Sequence, residues 1–438
     1  MDNYPNTLKE NLFSIIRSMA DSPEPYVKKP NRDFTRNRKL SFETMINIFL
    51  SMGGNTICKE LLESQGYNEN VATTSAFVQQ RGKILSSSLE YLFHEFTKSF
   101  ATPITFCGYR IFADDGSDLH IATDPSNPDT YFQNTPDSKG FNLLHLNALY
   151  DLCNKVYVDA LIQPSRLTNE GKALTDMVDR SNITEKVILL ADRGYECYNN
   201  FAHVEKKGWN YVFRVKDLGS NGILSGLSPF LPKTGEFDVS IQRILTRSKS
   251  KEVKAHPETY RILYHDAPFD FMDKQNMFYP ISYRVVRFKI TEDTYETLIT
   301  NLDRADFSPM ELKALYNMRW GIETSFRHLK HTIGLVNFHA KKQEYITQEI
   351  FARLITYNFS EMITSHVIIS HGHTKYIYQV NFTVAVDVCK KFLRLLGNIL
   401  PSTVEALIRN HTTPVRPGRS WPRNVRPQTN VSFIYRVA

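Results

Sequence analysis

The run Val187-Ile188-Leu189-Leu190-Ala191-Asp192-Arg193-Gly194-Tyr195 decides how this chain is read. Five uninterrupted apolar residues of strand length mark a strand buried on both faces, as in a parallel sheet with helices on each side. The acid at its end precedes a glycine-containing turn, where α/β sheets place their ligands. Working back towards the N-terminus, YRIFAD (109–114), FNLLHLNALYD (141–151) and KVYVDALIQP (155–164) read as strands, the last two as an antiparallel hairpin turning at Leu152 to Asn154. A helix is expected from about Thr168 to Arg180. Working forward, a helix in CYNNFAHVEKKG (197–208) and a strand in NYVFRV (210–215) complete an order of three strands, helix, strand, helix, strand. The fold class expected is α/β.

The flanks differ in character. Residues 4–100 are helical in pattern, with an apolar segment at Leu12 to Met19, a second at FETMINIFLSMG (42–53) behind Ser41 as N-cap, and a third from about Ser75. Between the first two lie Lys28, Lys29, Arg32, Arg36, Arg38 and Lys39, interleaved with Tyr26 and Phe34. Helices beside basic residues suit DNA. Residues 217–300 turn Gly/Ser/Pro-rich and then β-rich, with alternation in YRVVRFKI (283–290) and ETLITNL (296–302), so an inserted antiparallel module is expected. Beyond residue 344 the pattern is helical and then aperiodic. After Glu405 no acid remains, whereas Arg409, Arg416, Arg419, Arg423, Arg426 and Arg436 do, which makes a basic tail.

Composition narrows the classes. At 438 residues, 42 % hydrophobic and 23 % charged, the chain has material for more than one structural unit and a large core, which excludes a disordered or disulfide-stapled protein. Five scattered cysteines with no CxxC pair support neither disulfides nor a zinc site; reduced, mostly buried thiols are expected. Net charge +7 permits a polyanionic partner. No run of 18 uncharged apolar residues occurs and Met1 to Ala20 lacks the layout of a secretory leader, so the expected location is cytoplasmic, with no membrane partner.

The chemistry gathers on a helix whose start is specified by Ser308 as N-cap, Pro309 at the first position and Glu311 closing a capping box. At about 100° per residue, Tyr316, Arg319, Glu323 and Lys330 fall within one narrow stripe, bordering an apolar stripe of Leu315, Met318, Ile322, Phe326 and Leu329. Gly321 inside this helix costs about 1 kcal/mol relative to Ala, a sign of close approach. Two further acids are expected at strand ends: Asp115, before Gly116, and Asp192. Asp114 and Asp118 compete with Asp115, and strand alternation puts Asp114 on the opposite face from Asp115. Three converging carboxylates repel one another unless cations are bound, and oxygen ligands without a Cys or His cluster suit Mg²⁺, with Mn²⁺ as a substitute. Two such ions about 3.5–4 Å apart serve in-line phosphoryl transfer.

Tyr316-x2-Arg319-x3-Glu323-x6-Lys330, within YNMRWGIETSFRHLK, resembles in full the Tyr-Arg-Glu-Lys signature of bacterial insertion-sequence DDE transposases of family four. FADDGSDL and LLADRGY are similar to that family's first and second aspartate motifs, in the right order, and the resemblance spans about residues 30–370. It implies a ribonuclease-H-like catalytic core with a β-rich insertion before the last catalytic helix, and Asp115, Asp192 and Glu323 as catalytic metal ligands. It also implies that Tyr316, Arg319 and Lys330 hold transposon-end DNA, and Arg193 and Arg327 are counted with them. The expected layout is a helical DNA-binding domain (1–104), the first catalytic part (105–216), the insertion (217–305), the final catalytic part (306–370) and a helical, basic C-terminal region (371–438). All three Trp lie outside residues 217–300, so the aromatic on which hairpin-forming relatives stack a flipped base is not evident there.

The function expected is a transposase that binds terminal inverted repeats as a homodimer, frees 3′-hydroxyls and joins them to target DNA. A catalytically silent DNA-binding protein of transposon origin is the alternative, and a metal-dependent nuclease unrelated to transposition is a third reading. The complete acidic triad argues against the silent reading.

Overall fold

A computed structural model describes residues 4–36, 38–99, 103–367, 369, 377–396 and 399–415. The arginines from 416 onward and Trp421 lie outside that set. The chain opens with helices α1 (Tyr4–Asp21), α2 (Phe42–Ser51), α3 (Ile57–Ser64), α4 (Thr74–Arg81) and α5 (Ser86–Lys98). Ser41 caps α2 as expected, its side chain accepting from the Thr44 N–H. The single helix expected from Ser75 is instead two, α4 and α5, because the backbone turns at Gly82–Leu85.

Next come β1 (Arg110–Ile121), β2 (Tyr131–Phe132), β3 (Phe141–Asp151), β4 (Val156–Pro164), α6 (Glu170–Arg180), β5 (Val187–Ala191), α7 (Tyr198–Lys206) and β6 (Asn210–Val215). Strands β7 (Phe237–Thr246), β8 (Tyr260–Ile262), β9 (Phe278–Lys289) and β10 (Tyr295–Thr300) follow, with the short α8 (Lys251–Ala255) after β7. Ten strands form one sheet in the order β2-β3-β1-β5-β6-β10-β9-β7-β8, with β4 beside β3. β5 runs parallel to β1 and β6, whereas β3 and β4 pair antiparallel. All five side chains of β5 are fully buried. Each large one removed from water contributes about 1.5–3 kcal/mol, which is why this run is apolar throughout.

The inserted module differs from expectation in two ways. Its strands extend the main sheet, since β10 pairs with β6, and β8 is parallel to β7. Alternation reveals strands but not their remote partners.

The segment from Pro309 was expected as one helix. Its capping box is present, with the Ser308 N–H donating to Glu311 and the Glu311 N–H to Ser308 Oγ. However, α9 (Pro309–Asn317) and α10 (Trp320–Arg327) are separated at Met318–Arg319, where the N–H groups reach back three residues rather than four. A π-helical turn, His328–Ile333, then carries Lys330, so this residue departs from the 100° projection. The apolar stripe is split between two cores: Leu315 and Met318 pack with β5, β6 and β9 residues, while Ile322, Phe326 and Leu329 join the large helical core. A Cβ on Gly321 would lie 2.6 Å from Leu152 Cδ2 at the β3–β4 turn, which explains the glycine.

Helix α11 (Gln343–His366) binds the layers together. Because it is buried on nearly all sides, its polar groups must find partners within the protein. Glu349 pairs with Arg81 of α4 at 2.8 Å, Arg353 donates to the Met52 and Gly53 carbonyls, and Asn358 brackets the Tyr157 backbone of β4. The N-terminal helices are thereby seated on the same core as the sheet. β11 (Ile377–Val380), α12 (Phe382–Leu393), α13 (Pro401–Asn410) and β12 (Thr412–Val415) close the described chain. Of the five thiols, expected to be mostly buried, only Cys389 is; Cys58 and Cys107 are exposed. Among the described residues no helix is long and apolar enough to cross a membrane.

Candidate active site

The parallel pairing of β1 with β5 ends at Ala113 opposite Leu190. Asp115 and Asp192 each stand two residues past that pair, so the register brings their backbones to the same level. Asp192 is where the sequence put it: it follows β5 and caps a short turn, its Oδ1 accepting from the Gly194 N–H at 2.7 Å. Asp115 is not at a strand end, a correction to the sequence reading. β1 continues to Ile121, held by β3 alone, because the antiparallel ladder outlasts the parallel one.

Helix α10 crosses β1 on the Asp115 face. Arg319, just ahead of α10, places Nη2 2.6 Å from Glu323 Oε1 and Nη1 3.8 Å from Asp115 Oδ2. Burial pushes the Asp115 carboxyl up to about 6; Arg319 opposes this, and the charges of Asp192 and Glu323 add to it. The three predicted carboxylates therefore share one field. Asp114, on the opposite face, is fully buried, and burial pushes its carboxyl well above the usual range.

The other predicted residues divide. Tyr316 is buried against the β5–β6 core, and its hydroxyl is pushed up to about 12 by burial, with Glu296 and Asp192 also raising it against Arg319. Among the described residues the Tyr316 hydroxyl and Arg319 Nε are buried with no hydrogen-bond partner, so each keeps a donor for a ligand. Lys330 Nζ donates to the Asp118 carbonyl at 2.8 Å, and burial lowers its pKa. Arg193 and Arg327 are exposed, the first in the Asp192 turn and the second at the end of α10.

Among the described residues no three Asp, Glu, His or Cys side chains close on one point as a metal-holding group. At this site the Arg319 guanidinium reaches both Glu323 and Asp115. The donors themselves, three carboxylates without sulfur, fit a hard divalent cation once that guanidinium moves.

Sequence reasoning passed over His145 and Glu170, and over Lys216, Arg261 and Tyr264 beside Arg193. His145 on β3 sits opposite Asp118 in register, Nδ1 2.8 Å from Asp118 Oδ1 and Nε2 3.0 Å from Glu170 Oε1. Burial lowers the imidazole pKa, but those two carboxylates outweigh it and raise it to about 9. A cavity of about 310 Å³ adjoins the Asp192 turn, lined by Arg193, Lys216, Arg261 and the exposed Tyr264. The basic residues of 28–39, which the sequence reading did single out, lie on an exposed loop between α1 and α2. No motif or period marks the first two groups, because their members come from distant segments.

Comparison with known proteins gives three findings. The transposase DDE domain family matches residues 103–359. The transposase InsG for insertion sequence element IS4 of Escherichia coli (strain K12) is 27 % identical over 141 residues, which cover 30 % of this chain and 31 % of that relative, about a third of its length. A cryo-EM structure of the piggyBac transposase synaptic complex with hairpin DNA is similar in fold, with a TM-score of 0.50 at 11 % identity over 95 % of this chain and 87 % of that one.

Proposed function

The chain belongs to the DDE-domain transposases, and on that premise we propose that it cuts DNA at insertion-sequence terminal inverted repeats and joins the ends to target DNA. The observation that carries this reading is the shared field of Asp115, Asp192 and Glu323 at the level where β1 and β5 part. The strand order β4-β3-β1-β5-β6, antiparallel on one side of β1 and parallel on the other, supports a ribonuclease-H-like core. In this reading residues 105–216 and 306–370 form that core, 217–305 the insertion, 1–104 the DNA-binding helices and 371–438 the C-terminal region.

Asp115, Asp192 and Glu323 would hold Mg²⁺, two ions with Mn²⁺ as substitute, and this cofactor supplies activation of the attacking hydroxyl and neutralisation of the leaving oxygen. The protein's own groups bind and orient. The free donors of Tyr316 and Arg319 meet phosphate oxygens beside the scissile bond, Lys330 adds a cation fixed against β1, and exposed Arg193 and Arg327 line the approach. Water attacks the phosphodiester and releases a 3′-hydroxyl. That hydroxyl then attacks a target phosphodiester, exchanging one ester for another with no protein–DNA bond. The exposed 28–39 loop contributes charge for duplex DNA. Pairing two ends requires two active sites, hence a homodimer, working on cytoplasmic, nucleoid DNA.

The test is cleavage of a DNA fragment carrying the gene's own flanking sequence with Mg²⁺, comparing wild type with Asp192→Ala. Site-specific 3′-hydroxyl ends from wild type alone are expected. Tight end binding without cleavage by either protein would favour the silent DNA-binding reading, and cleavage regardless of end sequence the nuclease reading.

A further inference from the structure

A carboxylate belonging to none of the motifs lies between the Asp115 stretch of β1 and the turn capped by Asp192. Glu170 is the first residue of α6, behind the Asn169 N-cap. An acid in a first helical turn is favoured by the helix dipole wherever it points; here its direction is specific. On β1, Asp114, Gly116 and Asp118 share the face opposite Asp115. A Cβ on Gly116 would fall 2.2 Å from His145 Nε2 and 2.6 Å from Glu170 Oε1, so these two side chains fill the space a residue next to Asp115 would otherwise occupy. At its other end the same carboxylate faces the Asp192 turn: Glu170 Oε2 lies 3.8 Å from the Cβ position of Gly194, and Asp192 Oδ1 lies 3.0 Å from that same point. One side chain thus adjoins the backbone next to Asp115 and the turn capped by Asp192. His145, itself held by Asp118 at 2.8 Å, stands 3.0 Å from Oε1 as an ion-pair contact, while Oε2 is turned towards the Asp192 turn.

From this juxtaposition we propose that Glu170 is a fourth carboxylate of the acidic centre, presenting Oε2 to the divalent cation that Asp115 and Asp192 serve, with His145 as the residue that positions it. The inference rests on the metal-dependent reading above. A carboxylate with one oxygen engaged by an imidazole and the other free matches the way protein groups orient oxygen ligands to metals. The absence of side chains at Gly116 and Gly194 is what lets it approach from the far face of the sheet.

The experiment is a titration of the full chain with Mn²⁺ alone, without DNA, following free Mn²⁺ by electron paramagnetic resonance. Wild type is compared with Asp192→Asn, Glu170→Gln and Glu170→Asp, with circular dichroism melts of each. Both Glu170 variants should bind Mn²⁺ at least about tenfold more weakly at unchanged folding. Glu170→Asp keeps the charge and withdraws it by one methylene, so wild-type affinity in that variant would mean a through-space field only and would overturn the ligand role. Weakening in Asp192→Asn with neither Glu170 variant affected overturns the Glu170 proposal alone. A wild-type chain that takes up no Mn²⁺, or an Asp192→Asn chain that binds as wild type, overturns the acidic-centre reading itself.

Discussion

Arg319 and Glu323, one turn apart, form an ion pair of 2.6 Å, and the same guanidinium reaches 3.8 Å from Asp115 on β1. A protein cation thus stands among carboxylates that a metal would otherwise neutralise. Removing it should favour the metal and disfavour DNA. At about 4 Å and an effective dielectric near 20 such a charge is worth about 4 kcal/mol before solvent relaxation, which leaves a change of about tenfold after it. Arg319→Ala should bind Mn²⁺ about tenfold more tightly in the absence of DNA and bind end DNA more weakly. Weaker Mn²⁺ binding in that variant would show that Arg319 supports the site rather than competing for it.

Lys330 is held by one backbone carbonyl on β1. If its charge meets a phosphate, Lys330→Ala lowers the slope of log affinity against log salt for end DNA by about one unit. Fluorescence anisotropy across a salt series measures this, and an unchanged slope counts against a phosphate contact.

The Arg81–Glu349 pair joins α4 to α11 with both side chains almost wholly buried. Burial alone would push the Glu349 carboxyl up, but Arg81 and His339 hold it down to about 2. A folded pKa below the unfolded one means stability that is present above about 4.5 and lost as pH falls towards 2. Urea unfolding between pH 5 and 2.5 (roughly the window set by these values) should show that loss in wild type and a flatter dependence in Glu349→Gln. Arg81→Met strands a buried carboxylate and should cost about 3–5 kcal/mol. A loss under about 1 kcal/mol would show that His339 alone suffices.

Gly321→Ala gains about 1 kcal/mol of helix propensity but brings a Cβ within 2.6 Å of Leu152 Cδ2. Overpacking of this kind costs about 1–3 kcal/mol, so a net loss of about 1 kcal/mol is expected. Adding Leu152→Ala should then cost less than it does in wild type. Additive losses in a double-mutant cycle would show that the two positions do not collide.

Much of the site was legible because its signals are local. The Ser308–Glu311 box, the wholly apolar β5 and the spacing of Arg319 and Glu323 depend on neighbours within a turn or a strand, and each stands where the sequence put it. The Asp114 and Asp115 side chains likewise separate to opposite faces of β1, as alternation requires.

Other features depend on which distant backbones meet. The sequence by itself determined an α/β chain, most strands of its main sheet and most of its helices, and the residue pattern of a DDE-domain transposase, because periodicity, capping and motif spacing are short-range. Only the tertiary structure decided that β1 runs on past Asp115, that the strands of 217–300 extend the same sheet, and that Lys330 leaves the common stripe on a π-helical turn. It also decided that His145 and Glu170 fill the space beside Gly116. Strand pairing is made by main-chain groups that are alike in every residue, and the room left by a missing side chain is filled from afar, so neither is written in local sequence.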